Sequence, residues 1–232
     1  MGARGESFGT LDFLRSLPLF GDLDLSQLEA LGAATSELQV AAGTALFRRG
    51  DPCDGIHVIV VGRVALALHA PAGGEKIVEI LGPGQSFGES IMLLGKPHVL
   101  HAEALADSLL LHIGRDVILE VVERNQAFAR RMLNELSLRL YRLVADIESY
   151  TLKSATERVI GYLLAALEDE SSRTQPAEVQ LAASKSVLAS RLNITREHFS
   201  RILHELSRAG LIRVSGRSIL IVDPAGLRCY KA

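Results

Sequence analysis

Thr195-Arg196-Glu197-His198-Phe199-Ser200-Arg201 decides how this chain is read, because it opens a helix with base-reading side chains on one face. Thr195 is a favoured N-cap residue. Phe199, Ile202, Leu203 and Leu206 then fall at i, i+3, i+4 and i+7, one apolar stripe of a helix. The opposite face carries Glu197, Ser200, Arg201, His204 and Arg208. Arg pairs with guanine O6/N7, Glu accepts from cytosine N4, and Ser has several base partners, so these types suit a major groove. A solvated polar face is the plain alternative for such a match on its own.

Working outward, Ser184 to Leu192 reads as a second short helix with apolar Leu188 and Leu192, and Asn193-Ile194 turns the chain before Thr195. This is a helix-turn-helix pattern, with Ser184 and Lys185 starting the first helix near the phosphates. Leu211 to Val214 and Ser218 to Val222, around Ser215-Gly216-Arg217, read as a wing of two strands that places Arg217 at its turn. Leu181 to Arg217 holds seven Lys/Arg against Glu197 and Glu205, net +5 in a chain of net −2, so the remainder carries about −7. Agreement of two helices, turn, wing and charge outweighs the solvated-face reading and implies double-stranded DNA as a partner.

The 232 residues suffice for two cored domains, and 48% hydrophobic with 22% charged content is that of an ordinary globular chain. Met1 to Thr10 lacks the basic and apolar regions of a secretory signal, and runs such as Ile56 to Val61 are too short to span a bilayer. The expectation is a cytoplasmic protein without a membrane partner. Cys53 and Cys229 are the only cysteines and lie far apart, which excludes a structural zinc or an all-cysteine iron–sulfur cluster within one chain. No helix pairs His with Glu at metal spacing, no nucleophile elbow occurs, and Gly82-x-Gly84 lacks a strand-to-helix context, so no enzyme is expected.

Leu11 to Thr35 reads as short helices. Between Leu38 and Ile113, short apolar runs alternate with glycines such as Gly43, Gly50, Gly55, Gly62 and Gly82-Pro83-Gly84, the pattern of a sandwich, barrel or jelly roll. From Asp116 the period becomes helical. Leu133, Leu136, Leu140, Leu143, Ile147 and Tyr150 are spaced 3, 4, 3, 4, 3, a heptad seam suited to a second copy of the helix. Packing of that stripe on the chain's own barrel is the alternative. The expected α+β fold has a β-roll over 1–115, a dimerisation helix and hinge over 116–153, and a winged helix-turn-helix over 154–232. A two-fold dimer would place two recognition helices on a palindromic site.

In this order of parts the chain resembles the family of the cyclic-AMP receptor protein and the fumarate-nitrate reduction regulator over nearly its whole length. Gly82-x-Gly84-x-x-Phe87-Gly88-Glu89 looks like the family's phosphate-binding cassette, and Glu197-x-x-Ser200-Arg201 is similar to the recognition motif of the nitrate-reduction-regulator branch, which reads TTGAT-type half-sites. The resemblance implies that Glu197 and Arg201 read inner G·C pairs and that Ser200 contacts the neighbouring thymine. It also implies RNA polymerase and a small effector as partners. Arg196 matches the cyclic-AMP receptor branch instead, where that Arg reads an outer guanine of TGTGA, so the first base stays open.

The resemblance implies an effector site at Phe87, Gly88, Glu89, Ser90, His98 and Val99. A cyclic nucleotide needs an Arg-Ser or Arg-Thr pair on its phosphate. His98-Val99 stand there. Val99 has no side-chain donor and an ordinary histidine is mostly neutral near pH 7, so cyclic AMP is not expected. The two-cysteine count closes the iron–sulfur route of the oxygen-sensing members. Cysteine-poor dissimilatory nitrate respiration regulators share the Glu-x-x-Ser-Arg helix, which leaves haem open as a nitric oxide sensor. Its axial histidine would come from His57, His69, His98, His101 or His112, with His98 and His101 preferred. A small organic effector, or a regulatory subunit whose C-terminal domain contacts protein, are the other readings.

Overall fold

The computed structural model describes residues 9–69, 74–168 and 176–230. Its elements are α1 (Thr10–Ser16), α2 (Leu25–Ala33), β1 (Thr35–Val40), β2 (Ala45–Phe47), β3 (Gly55–Val61), β4 (Val64–His69), β5 (Glu75–Leu81), β6 (Ser86–Phe87), α3 (Glu89–Leu94), β7 (His101–Ala104), β8 (Ser108–Gly114), α4 (Arg115–Arg124), α5 (Gln126–Leu152), α6 (Ala155–Glu168), β9 (Ala177–Gln180), α7 (Lys185–Arg191), α8 (Arg196–Arg208), β10 (Ile212–Ser215), β11 (Ser218–Ile221) and α9 (Pro224–Cys229). The α+β expectation holds: a β-roll, a long helix and a C-terminal helix-turn-helix follow in that order.

Two four-stranded antiparallel sheets, ordered β1-β8-β3-β6 and β2-β7-β4-β5, form the roll. β3 lies between β8 and β6 and is buried on both faces, hence an apolar run interrupted only by His57 rather than alternation. Ile56, Val58 and Val60 pack outward with Phe20, Leu31, Ile118 and Phe128 of the helical layer. Ile59, Phe87, Leu110, Phe47 and Leu66 fill the interior between the sheets. Gly62 turns β3 into β4 at φ +99°, where a Cβ would sit 2.0 Å from Ser108 Oγ, so only glycine lets the sheets meet there.

The helical stretch expected from Asp116 is two helices. Asn125 is extended between α4 and α5, and its Oδ1 accepts from Phe128 N at 3.0 Å while its Nδ2 donates to Gln27 Oε1 at 2.9 Å. An Asn whose side chain captures an N-terminal amide ends one helix and caps the next. α5 runs 27 residues, about 40 Å at the helical rise. The break at Lys153-Ser154 ends in a capping box, Glu157 N donating to Ser154 Oγ at 3.2 Å and Ser154 N to Glu157 Oε2 at 2.7 Å.

The chain divides into two units: residues up to Leu68 with Ile80–Arg142, and His69–Glu79 with the chain from Leu143 on. The second has its own three-stranded sheet, β10-β11-β9. β9, which the two-strand wing did not include, pairs antiparallel with β11, and its alternation of Ala177 and Val179 inward with Glu178 and Gln180 outward was the legible signal. No helix among the described residues is long and apolar enough to cross a membrane.

Candidate functional site

Ser184 caps α7, accepting from Val187 N at 3.3 Å, and Thr195 caps α8, accepting from His198 N at 3.2 Å. Between them Asn193, at φ +56°, makes the turn; Ile194 N then donates to Ala189 O at 3.0 Å. Asn tolerates this left-handed conformation better than other side chains. Phe199, Ile202, Leu203 and Leu206 are buried, and α8 packs on α6, α7 and β10. Arg196, Glu197, Ser200 and Arg201 are therefore all exposed, and among the described residues none has a side-chain partner. The last three share one face of the first two turns, at i, i+3 and i+4.

Lys185 begins α7, half-buried, with no ion partner among the described residues, and Ser184 is exposed. Arg217 is exposed in the β10–β11 turn, its Nη2 donating to Leu181 O at 3.5 Å. One basic residue of the segment serves the interior instead. Arg191 pairs with Asp146 at 2.7 Å and bonds the Tyr150 hydroxyl.

Along α5, Leu133, Leu140 and Ile147 are 64%, 64% and 65% exposed, and Leu143, Tyr141 and Val144 are exposed too. The other two seam residues turn inward. Leu136 packs on the roll's helical layer, and half-buried Tyr150 donates its hydroxyl to Arg191 O at 2.7 Å. The unpartnered apolar stripe is thus Leu133, Leu140, Val144 and Ile147, flanked by Tyr141 and Leu143, a heptad seam rotated by one position from the one the spacing picks out.

In the roll, Gly88 caps α3 at φ +101°, where a Cβ would come 3.1 Å from Gly55 O. Glu89 is buried, and its carboxylate accepts from Arg139 Nη1 at 2.9 Å while Arg139 Nη2 donates to Ser86 O at 2.7 Å. The cassette carboxylate is thereby tied to α5, an arrangement that sequence spacing could not reveal. Ser90 is exposed at the start of α3, and Phe87 is fully buried inside the roll. Beside the pair, on the outer side of β3, opens a cleft of about 170 Å³ lined by Leu17, Phe20, Gly84, Ser86, Arg139 and Arg142.

His98 and Val99 do not form an anion-binding pair. His98 is buried, its ring stacked on Phe47 with centroids 3.5 Å apart, and Val99 is 52% exposed. Burial pushes the His98 pKa down, so the ring stays neutral where a phosphate needs a cation. His57, directly opposite Phe87 and His112 across the sheet, stacks on Phe87 at 5.0 Å. Burial first, then His112 and His98, push its pKa down to about 3. His112 Nε2 lies 3.0 Å from Asp54 Oδ1.

These positions do not suit haem. Of the five candidate histidines, His69 and His101 lie beside Glu75 and Glu103, His112 beside Asp54, and His98 and His57 are locked in ring stacks. Among the described residues His57 Nδ1 is a buried ring nitrogen without a partner, and the His57 ring stands among those of Phe47, Phe87 and His112. No histidine lines the cleft, itself smaller than the several hundred Å³ usual for ligand sites. Among the described residues no group of three His, Cys, Asp or Glu side chains could hold a metal ion.

A roll of this kind joined by a long helix to a helix-turn-helix defines a DNA-binding transcription regulator with an effector-type domain. Residues 37–125 match the cyclic nucleotide-binding domain family and residues 157–230 the Crp-like helix-turn-helix domain family. The chain is 24% identical over 213 residues to the CRP-like cAMP-activated global transcriptional regulator of Mycobacterium tuberculosis, covering 91% of this chain and 95% of that one. Among solved structures it resembles FixK2 from Bradyrhizobium japonicum (23% identity, TM-score 0.75, 85% and 98% of the two chains). It also resembles DNR from Pseudomonas aeruginosa (32% identity, TM-score 0.50, 95% and 96%). The chain belongs to the CRP/FNR family of transcription regulators.

Proposed function

We propose that the protein is a homodimeric cytoplasmic regulator, not an enzyme, that binds a palindromic site with TTGAT-type half-sites and responds to a small effector other than cyclic AMP. The observation that carries this reading is the face of α8 on which Glu197, Ser200 and Arg201 stand exposed and unpartnered while the opposite face is buried. Unpaired donors and acceptors at a helix N-terminus are free to meet base edges without first breaking internal bonds. The exposed apolar stripe of α5 supports the dimer, whose two-fold axis would duplicate α8 for two half-sites. The likeness of Glu197-x-x-Ser200-Arg201 to the nitrate-reduction-regulator recognition motif supports the TTGAT class. RNA polymerase is the expected protein partner on such a promoter site.

Neutral, stacked His98 and outward Val99 argue against a cyclic nucleotide, and the histidine geometry argues against haem-based nitric oxide sensing. Arg196, exposed at the first position of α8, favours TGTGA as the second reading of the half-site. Fluorescence anisotropy at one fixed salt concentration, on TTGAT, TGTGA and scrambled palindromes, tests the proposal. Preference for TTGAT supports it; preference for TGTGA transfers the protein to the second reading; equal binding to all three refutes sequence recognition.

A further inference from the structure

The start of β5 carries a set of contacts that DNA reading does not use, all within the C-terminal unit. Lys76 Nζ donates to the carbonyls of Ser190 at 2.8 Å and Arg191 at 2.9 Å, the last two residues of α7. It also lies 4.1 Å from the centre of the Tyr150 ring. Ser190 completes the contact in the other direction, its Oγ donating to Glu75 O at 2.8 Å and accepting from Ile77 N at 2.9 Å. Arg191 O also accepts from Tyr150, and the Arg191 guanidinium reaches Asp146, so the end of α5 joins the same cluster.

The chemistry is specific. A helix leaves its last carbonyls without partners inside the helix, and a cation is favoured at that end. Three cations approach the end of α7: Lys76 takes the carbonyls of its last two residues, Arg191 takes the Asp146 carboxylate, and Arg158 donates to Asn193 O just beyond at 3.4 Å. Burial, then the nearby Arg191, lowers the Lys76 pKa to about 8 against the Asp146 carboxylate, which raises it, so the ammonium persists at neutral pH over the Tyr150 ring.

We propose that this contact is a lock by which the start of β5 and the end of α5 hold the first helix of the helix-turn-helix, and so set the disposition of α8 toward DNA. The inference rests on the DNA-binding reading above. α7 presents Ser184 and Lys185 at one end and the lock at the other, and the Leu192–Ile194 turn passes any movement of α7 to α8. Displacing the start of β5 would release α7, and an effector binding the locked and released arrangements unequally would shift DNA affinity by that difference.

The test uses full-length protein carrying Lys76→Met, which keeps the apolar stem, and separately Ser190→Ala. Hydrogen exchange at the Ile77 amide and the last turn of α7 reads the lock itself; anisotropy on the TTGAT palindrome reads its consequence. We expect exchange at Ile77 to accelerate at least about tenfold in Ser190→Ala, and palindrome affinity to change at least about tenfold in Lys76→Met. A rise marks the lock as inhibitory and a fall as activating; both support it. Unchanged exchange, or unchanged affinity, overturns the proposal. Wild-type protein that binds no duplex refutes the DNA reading instead, and the exchange measurement then still decides whether the lock forms.

Discussion

Substituting Arg139 by Met removes the cation from Glu89 while keeping the apolar stem that packs on the roll. Glu89 has a side-chain exposure of 6% and Arg139 of 25%, so the pair is largely, though not fully, desolvated. Stranding one member of a buried pair costs about 3–5 kcal/mol; allowing for the partial exposure of Arg139, about 2–4 kcal/mol is expected. With a urea dependence of about 2 kcal/mol per molar, the unfolding midpoint of the roll should fall by about 1–2 M. The chain contains no tryptophan, so far-UV circular dichroism is the appropriate signal. Glu89→Gln alone should cost less, and the double variant should recover more than half of the Arg139→Met loss, because no uncompensated charge remains. A loss below about 0.5 kcal/mol for Arg139→Met, or strictly additive single variants, would refute the assignment of the bridge as the tie between cassette and α5.

Arg201→Ala should weaken binding to the TTGAT palindrome by about 5- to 150-fold while leaving random duplex nearly unchanged, as anisotropy on both will show. Lys185→Ala should weaken both duplexes alike and reduce the slope of log affinity against log salt by about one. Because His57 is held neutral in the fold down to about pH 3 but takes a proton near 6.5 when unfolded, its contribution is present above 6.5 and lost as pH falls from there toward 3. That amounts to about 1.4 kcal/mol per pH unit, and urea midpoints at pH 7.5 and 5.5 should converge in His57→Gln. If α5 pairs with a second copy as proposed, Leu140→Glu with Ile147→Glu should give a monomer by light scattering and abolish binding to the TTGAT palindrome. Titration of the anaerobic protein with haem should produce no Soret band beyond that of free haem; a sharp band that shifts with nitric oxide would contradict the histidine geometry.

The C-terminal half was the more legible. Helix periodicity, two N-cap residues and a glycine turn are local signals, and in α7, α8 and the β10–β11 turn the local preference and the tertiary arrangement agree. The short strands β6 and β7 and the extended Asn125 were less so, since each depends on a partner far along the chain: β6 on β3, β7 on β2 and β4, and Asn125 on Gln27. The seam of α5 was legible as a period but not as a phase. A spacing of 3 and 4 is satisfied by two adjacent stripes, and only the packing of Leu136 on the roll shows which one stays unpartnered.

Residue chemistry alone determined that the second helix of the pair presents Glu197, Ser200 and Arg201 together, because a helix of 3.6 residues per turn leaves no other choice. It also determined that no Arg-Ser pair follows the cassette and that two distant cysteines cannot build a cluster. The tertiary structure decided what becomes of groups whose partners are remote in sequence: Glu89 bound by Arg139, His98 stacked on Phe47, Lys76 seated on the end of α7. Charge and ring chemistry are written in the residues, but which charge is already satisfied, and which ring is already stacked, depends on desolvation and approach distance. Those exist only once the chain has closed on itself.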